Sequence, residues 1–165
     1  MLYENIFRTF NELGLKYVII GGIAVNLHGY DRHTGDLDIV IAMTNDEIQK
    51  FIHAVEKLKM LPRMPVKLQE FADPQKRKEW MYEKGMKVFS VYNPHNPIED
   101  IDVVMIEQII EFDILYTNSV IMKDRELILR IASIPDLIAL KKHAGRERDL
   151  LDIRALKRLT QFKDE

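Results

Sequence analysis

The amino-acid sequence predicts an α/β fold, which can equally be described as α+β, with a mixed central β-sheet flanked by helices and a C-terminal helical segment. Segments with the strand period of two alternate along the chain with segments that have the helix period of 3.6. Apolar residues make up 47% and charged residues 30% of the 165 residues, which is typical of a chain that buries its own core. No linker or internal repeat divides the sequence. We therefore predict one domain over residues 1–165, with a core of about 1–132 and C-terminal helices from about 133 to 165.

The first sixty residues predict three helices and two strands. The predicted helices are 6–13, 23–29 and 44–59, and the predicted strands are 17–20 and 37–43. Gly14 is well placed to end the first helix, and Thr44 is well placed to begin the third. Alternation along the second strand places its leucine and isoleucines on one face, and Asp36 and Asp38 on the other.

The rest of the chain alternates in the same way. The predicted strands are one short strand within 60–73, then 86–92, 100–105, 120–123 and 127–132. The predicted helices are 74–84, 137–144 and 146–159. Residues 93–97 contain two prolines and two asparagines, which predict a turn. The last two strands are expected to pair as a hairpin across Asp124-Arg125, and Ser133 begins the next helix with a pattern similar to a capping box.

The composition narrows the classes of function. A net charge of -2 and a pI near 6.2 provide no overall basic field that would steer the chain onto nucleic acid. The absence of cysteine excludes disulfides, thiolate metal sites and cysteine nucleophiles, and it fits a reducing compartment. The N-terminal residues do not have the pattern of a signal peptide, and no apolar run is long enough to cross a bilayer. We therefore expect a cytoplasmic protein that does not contact the membrane.

A double glycine, Gly21-Gly22, follows the buried strand predicted at 17–20 and precedes a helix. Glycines at such a junction let the backbone approach a ligand closely, and the first helical turn leaves N–H groups free to bind phosphate. The pattern is neither the G-x-G-x-x-G of dinucleotide-binding folds nor a P-loop, because no Gly-Lys-Ser/Thr sequence follows. Most strand–glycine–helix junctions are structural, so this feature alone does not indicate a function.

Three aspartates on two predicted strands indicate a metal site. Asp36 and Asp38 are two residues apart, so alternation places both carboxylates on one face of a strand. Two anions this close raise each other's pKa unless a cation lies between them, and Mg²⁺ takes such oxygen ligands. A solvated, acidic strand edge would contain the same two residues. Asp102 favours the metal site, because a carboxylate within an apolar strand needs a partner or a metal, and Asp100 is the alternative third acid.

Residues 18–40 resemble the signature of the polymerase-beta-type nucleotidyltransferase superfamily, in which an apolar strand, two small residues and a spacer precede Asp-x-Asp. Asp102 matches the third acid that the superfamily carries on a later strand. The chain is most similar to small bacterial and archaeal forms related to the abortive-infection (AbiEii-type) toxin nucleotidyltransferases and the minimal nucleotidyltransferases. Three segments carry this resemblance in order: Gly29-x-x-Arg32-x-Thr34-x-Asp36-x-Asp38, Leu137-Ile138-Ala139-Leu140-Lys141, and Gly145-Arg146-x-Arg148-Asp149-x-x-Asp152. The resemblance covers most of the chain except about 62–99, and it departs from many members that have Gly-Ser at Gly21-Gly22.

The resemblance implies the nucleotidyltransferase fold and a role for each matching residue. Asp36 and Asp38 are implied to bind Mg²⁺, or Mn²⁺, and Asp102 to complete the metal site and activate the acceptor hydroxyl. Lys141 is implied to face the β- and γ-phosphates of a nucleoside triphosphate, where negative charge develops as pyrophosphate leaves. The remaining residues implied to bind the nucleotide are Gly21, Gly22, Arg32 and Thr34.

Together these residues predict a magnesium-dependent nucleotidyltransferase with its catalytic core in about 1–132. Such an enzyme moves a nucleoside monophosphate from a triphosphate (NTP) to an acceptor hydroxyl and releases pyrophosphate. The acceptor stays open between RNA (tRNA in particular), a side chain of a partner protein, and a small hydroxylated molecule. Because the chain is short, we expect a second copy or a small helical partner to help form the acceptor site.

Two other functions compete with this prediction. The first is a non-catalytic nucleotide- or partner-binding module of a toxin–antitoxin pair, although an intact set of three acids argues against a relic site. The second is a metal-dependent phosphohydrolase, which needs further histidine or aspartate ligands that have no suitable spacing here.

For several other polar residues, the sequence does not decide between a structural and a functional role. Arg148 and Asp152 have the i, i+4 spacing of a favourable helix pair, and with Arg146 and Asp149 they form either a salt bridge between helices or part of the catalytic site. The residues expected to be in turns, in packing or on the surface are His28, His33 and His143. Trp80, beside Lys76–Lys78 in a charged segment, is expected in the core, with stacking on a nucleic-acid base as the alternative.

Overall fold

A computed structural model describes residues 2–105 and 109–163 and shows a mixed α/β fold. The strands are β1 Tyr17–Ile19, β2 Leu37–Ile41, β3 Leu61–Pro62, β4 Val88–Asn93, β5 Asn96–Val104, β6 Val120–Asp124 and β7 Leu127–Ile131. Within the described residues they form one sheet in the order β3-β4-β5-β2-β1-β7-β6. The pairs β1–β7 and β2–β5 are parallel and the other neighbours are antiparallel, which confirms the predicted fold class. Residues 1, 106–108 and 164–165 of the predicted domain lie outside the described residues.

Helices lie between most of these strands and after the last one. They are α1 Glu4–Glu12, α2 Gly21–Leu27, α3 Asn45–Lys57, α4 Pro74–Lys78, α5 Phe112–Asn118, α6 Ile134–Ala144 and α7 Glu147–Lys163, with a 3-10 turn at Leu68–Ala72 and a π-helical turn at Glu79–Glu83. The hydroxyl groups of Thr44 and Ser133 cap α3 and α6 by accepting hydrogen bonds from first-turn N–H groups. Gly14 and Gly145, with φ of 64° and 63°, follow α1 and α6 in the left-handed conformation that favours glycine. The predicted helix boundaries at these four residues are confirmed.

The two faces of the sheet differ in how deeply they are buried at β4 and β5. Residues of one face are fully buried: Phe89, Val91, Ile101 and Val103. On this face the ring of Phe89 stacks on Phe71, with 4.4 Å between centroids, and on Trp80, with 5.7 Å. The opposite face carries Ser90 and Asp102, whose side chains are only partly buried. The polar face of these strands is therefore the more accessible one, and the candidate site lies on it.

Burial of Trp80 in this aromatic stack confirms its expected place in the core. Its indole ring therefore does not offer a free surface for a nucleic-acid base. The charged helix predicted at 74–84 is interrupted after Lys78, where the π-helical turn continues the chain and brings Trp80 onto the sheet. No helix among the described residues is long and apolar enough to cross a membrane.

Strand and helix boundaries differ from the prediction in several other places. α2 spans Gly21–Leu27 rather than 23–29, so the two glycines begin this helix instead of preceding it, and α7 continues to Lys163 rather than ending at residue 159. β2 ends at Ile41 rather than at residue 43. β5 begins at Asn96 rather than at residue 100, because Asn96 pairs with Asn93 of β4 across a tighter turn. The sequence pattern did not predict α5, a short helix held by the buried side chains of Phe112 and Leu115.

Candidate functional site

The parallel pairing of β2 and β5 brings two of the predicted acids together. Asp38 of β2 lies directly opposite Asp102 of β5 in the register of the two strands. Since side chains at paired positions point to the same face, both carboxylates occupy one region of the sheet surface. Asp36 immediately precedes β2 and its side chain is exposed.

β4 adds a residue that the sequence did not indicate. Ser90 lies opposite Asp102 on the other side of β5, and its hydroxyl donates a hydrogen bond of 2.5 Å to Oδ1 of Asp102. This bond fixes one oxygen of the carboxylate and thereby orients the other. A serine in an alternating strand carries no distinctive signal, so only the pairing of β4 with β5 reveals its role.

A glycine is required at position 21 because the backbone there lies directly against the side chain of Asp38. Gly21 has a φ of 67°, which is costly for any residue with a side chain, and a β-carbon at this position would overlap the carboxylate of Asp38. The backbone N–H of Ile20 donates a hydrogen bond of 3.0 Å to the Asp38 carbonyl and holds the two segments together. The first glycine therefore lies directly against a predicted metal ligand.

Gly22 is packed just as closely against the loop that precedes β2. A β-carbon on Gly22 would overlap the hydroxyl of Thr34 and lie 2.6 Å from Nη2 of Arg32. Asn26 of α2 holds this loop by donating a hydrogen bond of 2.9 Å from Nδ2 to the Arg32 carbonyl. The glycine turn, Arg32 and Thr34 thus form one surface beside Asp38. The N–H groups of the first turn of α2, which have no partner within the helix, begin at this surface.

Lys141 is buried in α6, and its ammonium group faces two carboxylates of α7. Nζ lies 2.6 Å from Oδ2 of Asp152 and 3.5 Å from Oδ1 of Asp149. Nε of Arg32 lies 3.0 Å from Oδ1 of Asp152, close enough for an ion pair although it lacks the alignment of a hydrogen bond. These contacts tie the glycine-turn loop to the C-terminal helices through Asp152.

Arg146, whose own side chain is exposed, completes this ion network, which comprises Arg32, Lys141, Arg146, Asp149 and Asp152. Its Nε donates a hydrogen bond of 2.8 Å to Asp149. Burial acts to raise the pKa of Asp149, but the hydrogen bonds from Arg146 outweigh it and hold that pKa below its ordinary value. The expected pairing of Arg148 with Asp152 is wrong, because Asp152 faces inward to Lys141 while Arg148 is exposed.

The acids of the site repel one another. Burial, followed by the charges of Asp102 and Asp36, raises the pKa of Asp38 to about 6. Burial also raises the pKa of Asp102, although the hydrogen bond from Ser90 opposes this rise. Arg146 and Lys141 lower the pKa of Asp38, which shows that the ion network lies within electrostatic reach of the acids. A cation placed among these carboxylates would relieve the repulsion.

Whether the residues fit a divalent cation depends on how many ligands the protein itself must supply. No three His, Cys, Asp or Glu side chains within residues 2–105 and 109–163 are placed closely enough to hold a metal ion by themselves. Mg²⁺, however, is usually bound through one or two carboxylates, with water and substrate phosphates as its other ligands. The adjacent carboxylates of Asp38 and Asp102 provide that oxygen donor set. The site therefore fits a cation that binds together with a phosphate-bearing ligand.

Other polar residues from the sequence analysis lie outside this centre. Asp100, the alternative third acid, is paired with Arg63 at 2.5 Å, and the guanidinium of Arg63 also lies over the ring of Tyr92. Nε2 of His28 is 2.8 Å from the Ala132 carbonyl, a packing contact at the end of β7. The remaining two histidines singled out above, His33 and His143, are exposed.

No protein-family model matches the chain, and no curated protein matches it significantly.

Proposed function

We propose that the protein is a magnesium-dependent nucleotidyltransferase that moves a nucleoside monophosphate from an NTP to an acceptor hydroxyl. The observation that carries this proposal is the adjacent pair Asp38 and Asp102, with Asp38 in contact with Gly21 of the glycine turn. A carboxylate pair suits a cation that binds phosphate, and a glycine turn with free N–H groups suits the phosphates themselves. The two features meet at one place, as nucleotidyl transfer requires.

Asp38 and Asp102 are the residues that would hold Mg²⁺, or Mn²⁺ in its place, and Asp36 would join them as a third ligand when the cation binds. When bound, the cation neutralises charge on the phosphate oxygens and favours attack at the α-phosphorus. Asp36 is the most exposed of the three, so it is suited to a ligand that exchanges as substrate enters. Asp38 and Asp102 are more deeply placed and are fixed by the backbone and by Ser90.

Asp102 is the proposed base for the acceptor. The acceptor oxygen forms a bond to the α-phosphorus, its proton passes to the Asp102 carboxylate, and the bond between the α-phosphorus and the bridging oxygen breaks to release pyrophosphate. A base is most effective when its pKa lies near the working pH, and burial moves the pKa of Asp102 upward in that direction. Ser90 holds Oδ1 of Asp102 and so directs the other oxygen.

The phosphate side of the site is formed by the glycine turn and the loop packed on it. N–H groups of Gly21 and Gly22, the hydroxyl of Thr34 and the guanidinium of Arg32 are the proposed contacts. Lys141 requires a different account, because its ammonium already binds two carboxylates. We propose that Lys141 acts mainly by placing positive charge behind Arg32 and by lowering the pKa of Asp38.

Thermal unfolding with NTP and Mg²⁺ tests binding. A ligand at about 100 times its dissociation constant adds roughly 2.7 kcal/mol, which raises the melting temperature by several degrees. Wild type should shift only when metal and NTP are both present, and Asp38→Asn should not shift. The matched control is Asp100→Asn. Asp100 lies two residues from Asp102, and its carboxylate forms an ion pair with Arg63. If no NTP shifts wild type with Mg²⁺ or Mn²⁺, the proposal is wrong.

Transfer of label from α-³²P-NTP tests the reaction. The acceptors to supply are total tRNA, total cell protein and small hydroxylated compounds, since the chemistry of the site does not choose among them. Label should appear in one acceptor class with wild type and be absent with Asp102→Asn. Matching release of pyrophosphate would distinguish nucleotidyl transfer from phosphate hydrolysis, which releases phosphate instead.

A non-catalytic nucleotide- or partner-binding module, as in a toxin–antitoxin pair, is the second candidate. The observation that favours it is the ion network, in which Arg32 and Lys141 already have carboxylate partners. A binding module would show the thermal shift with NTP and metal but no release of pyrophosphate with any acceptor.

A further inference from the structure

Tyr3 links the two chain segments that carry the acids. It precedes α1 in the left-handed conformation, with φ of 65°, and its side chain is 3% exposed. Its ring packs edge-on against Phe7 with 6.5 Å between centroids. Its hydroxyl donates a hydrogen bond to the Gly35 carbonyl and lies 3.2 Å from the Ile98 carbonyl of β5.

The bond to Gly35 lies at a point where the sheet gives no support. Gly35 immediately precedes Asp36, and β2 begins only at Leu37, so the Gly35–Asp36 peptide lies before the paired residues of the strand. Space around Gly35 is open, since a β-carbon there would meet no atom within 4 Å. The phenol of Tyr3 therefore provides an anchor for the Gly35–Asp36 segment, between the contact of Thr34 with Gly22 and the first paired residue of β2.

The surroundings of the hydroxyl keep it a donor. Burial, together with the charges of Asp36, Asp100, Asp38 and Glu99, raises the pKa of Tyr3 to about 12. The phenol thus stays protonated at neutral pH. These carboxylates also show that the hydroxyl lies within electrostatic reach of the acids it is proposed to organise.

We propose that Tyr3 is a positioning residue that holds the Gly35–Asp36 segment so that Asp36 can bind a divalent cation beside Asp38. This inference rests on the proposed metal-dependent function. Groups that orient a metal ligand without touching the metal commonly change metal affinity by 10- to 100-fold when they are removed. Since Tyr3 acts on one of the three acids, we expect Tyr3→Phe to weaken Mn²⁺ binding by roughly 10-fold.

The matched control is Tyr17→Phe. Tyr17 belongs to the same core, packs on the same Phe7 ring at 6.1 Å, and its hydroxyl is 3.4 Å from the Ile128 carbonyl, on the side of β7. Both variants lose one buried phenol oxygen and keep the aromatic ring. Mn²⁺ affinity of the full chain is measured by electron paramagnetic resonance, without nucleotide and with a saturating NTP, after circular dichroism has shown that each variant is folded. Only Tyr3→Phe should bind Mn²⁺ more weakly.

A second comparison keeps the test decisive if both tyrosine variants lose stability. In an Asp36→Asn background, the further change Tyr3→Phe should leave Mn²⁺ affinity unchanged, because the group that it positions is already gone. Additive losses in the double variant, or equal losses in Tyr3→Phe and Tyr17→Phe, would overturn the inference. Unchanged Mn²⁺ affinity in Tyr3→Phe would also overturn it while leaving the proposed function intact. Failure of wild type to bind Mn²⁺ and NTP at all would overturn both.

Discussion

Replacing Asp38 with asparagine is expected to stabilise the metal-free protein at neutral pH, although it removes a proposed metal ligand. The pKa of Asp38 rises from 3.8 to about 6 on folding, because the carboxyl is buried and lies close to Asp102 and Asp36. The folded state therefore holds this proton more tightly than the unfolded chain does. The corresponding stabilisation is fully present below about pH 3.8 and is lost as the pH rises through about 6.

The magnitude of this loss follows from the change in pKa. One pKa unit corresponds to about 1.4 kcal/mol. The rise in the pKa of Asp38 therefore corresponds to a loss of roughly 3 kcal/mol in the free energy of unfolding at neutral pH. Asparagine has a similar shape and does not ionise. Wild type and Asp38→Asn should therefore have nearly equal free energies of unfolding near pH 4, and the variant should be more stable by roughly 3 kcal/mol near pH 7.5.

Urea unfolding followed by circular dichroism in EDTA, at intervals between pH 4 and pH 8, measures this difference. Asp100→Asn serves as the control, because removing the partner of Arg63 should not give this pH-dependent gain. Equal stability of wild type and Asp38→Asn at pH 7.5 would refute the electrostatic reasoning. Adding Mg²⁺ and NTP at about 100 times the dissociation constant should bring the two proteins close to equal stability, since only wild type gains roughly 2.7 kcal/mol from binding.

Three further substitutions test separate parts of the site. Gly21→Ala should lower the free energy of unfolding by about 1–2 kcal/mol, as measured by urea unfolding, because residue 21 has a left-handed conformation. The same change should abolish the NTP-dependent shift in a thermal-shift assay, because the new β-carbon displaces Asp38. Ser90→Ala should raise the pKa of Asp102 further, as measured by carbon-13 NMR titration of the carboxyl group in EDTA; an unchanged pKa would mean that the hydrogen bond is unimportant. Asp152→Asn should lower the free energy of unfolding by about 3–5 kcal/mol in urea unfolding, because the buried Lys141 and the partly buried Arg32 both lose a carboxylate partner. A loss below 1 kcal/mol would contradict the ion network.

Local patterns were sufficient to predict the parts of the fold that depend on neighbouring residues. Alternation along β2 places Asp38 on the face opposite Leu37 and Ile39, and a hydroxyl residue or a glycine marks the helix ends at Ser133 and Gly145. Each of these features is decided within a few residues by side-chain direction or capping. The hairpin of β6 and β7 was predicted for the same reason.

Features that depend on pairing between distant segments were not predictable. The neighbours of Asp102 are set by the register of β5 with β2 and β4, which no local pattern specifies, so the sequence indicated three acids but not Ser90. Spacing in α7 suggested that Arg148 is the partner of Asp152. Packing of α7 on α6 instead turns Asp152 inward to Lys141, and this contact decides its role.

The charge balance of the whole site explains why nucleotide and cation should bind together. The three acids and the ion network together contain five carboxylates and three cations: Asp36, Asp38, Asp102, Asp149, Asp152, Arg32, Lys141 and Arg146. With every group ionised, two negative charges remain unbalanced, and a triphosphate would add more. Asp149 and Asp152 already engage Arg32, Lys141 and Arg146, so under the proposed function a divalent cation would supply the missing positive charge. A cation bound to the acids alone would in turn need further ligands, because no three His, Cys, Asp or Glu side chains of the described residues already surround a metal position. Under the proposed function each ligand would complete what the other lacks, and the ion network, which ties Arg32 to α7, would hold the glycine-turn loop in place for the phosphates.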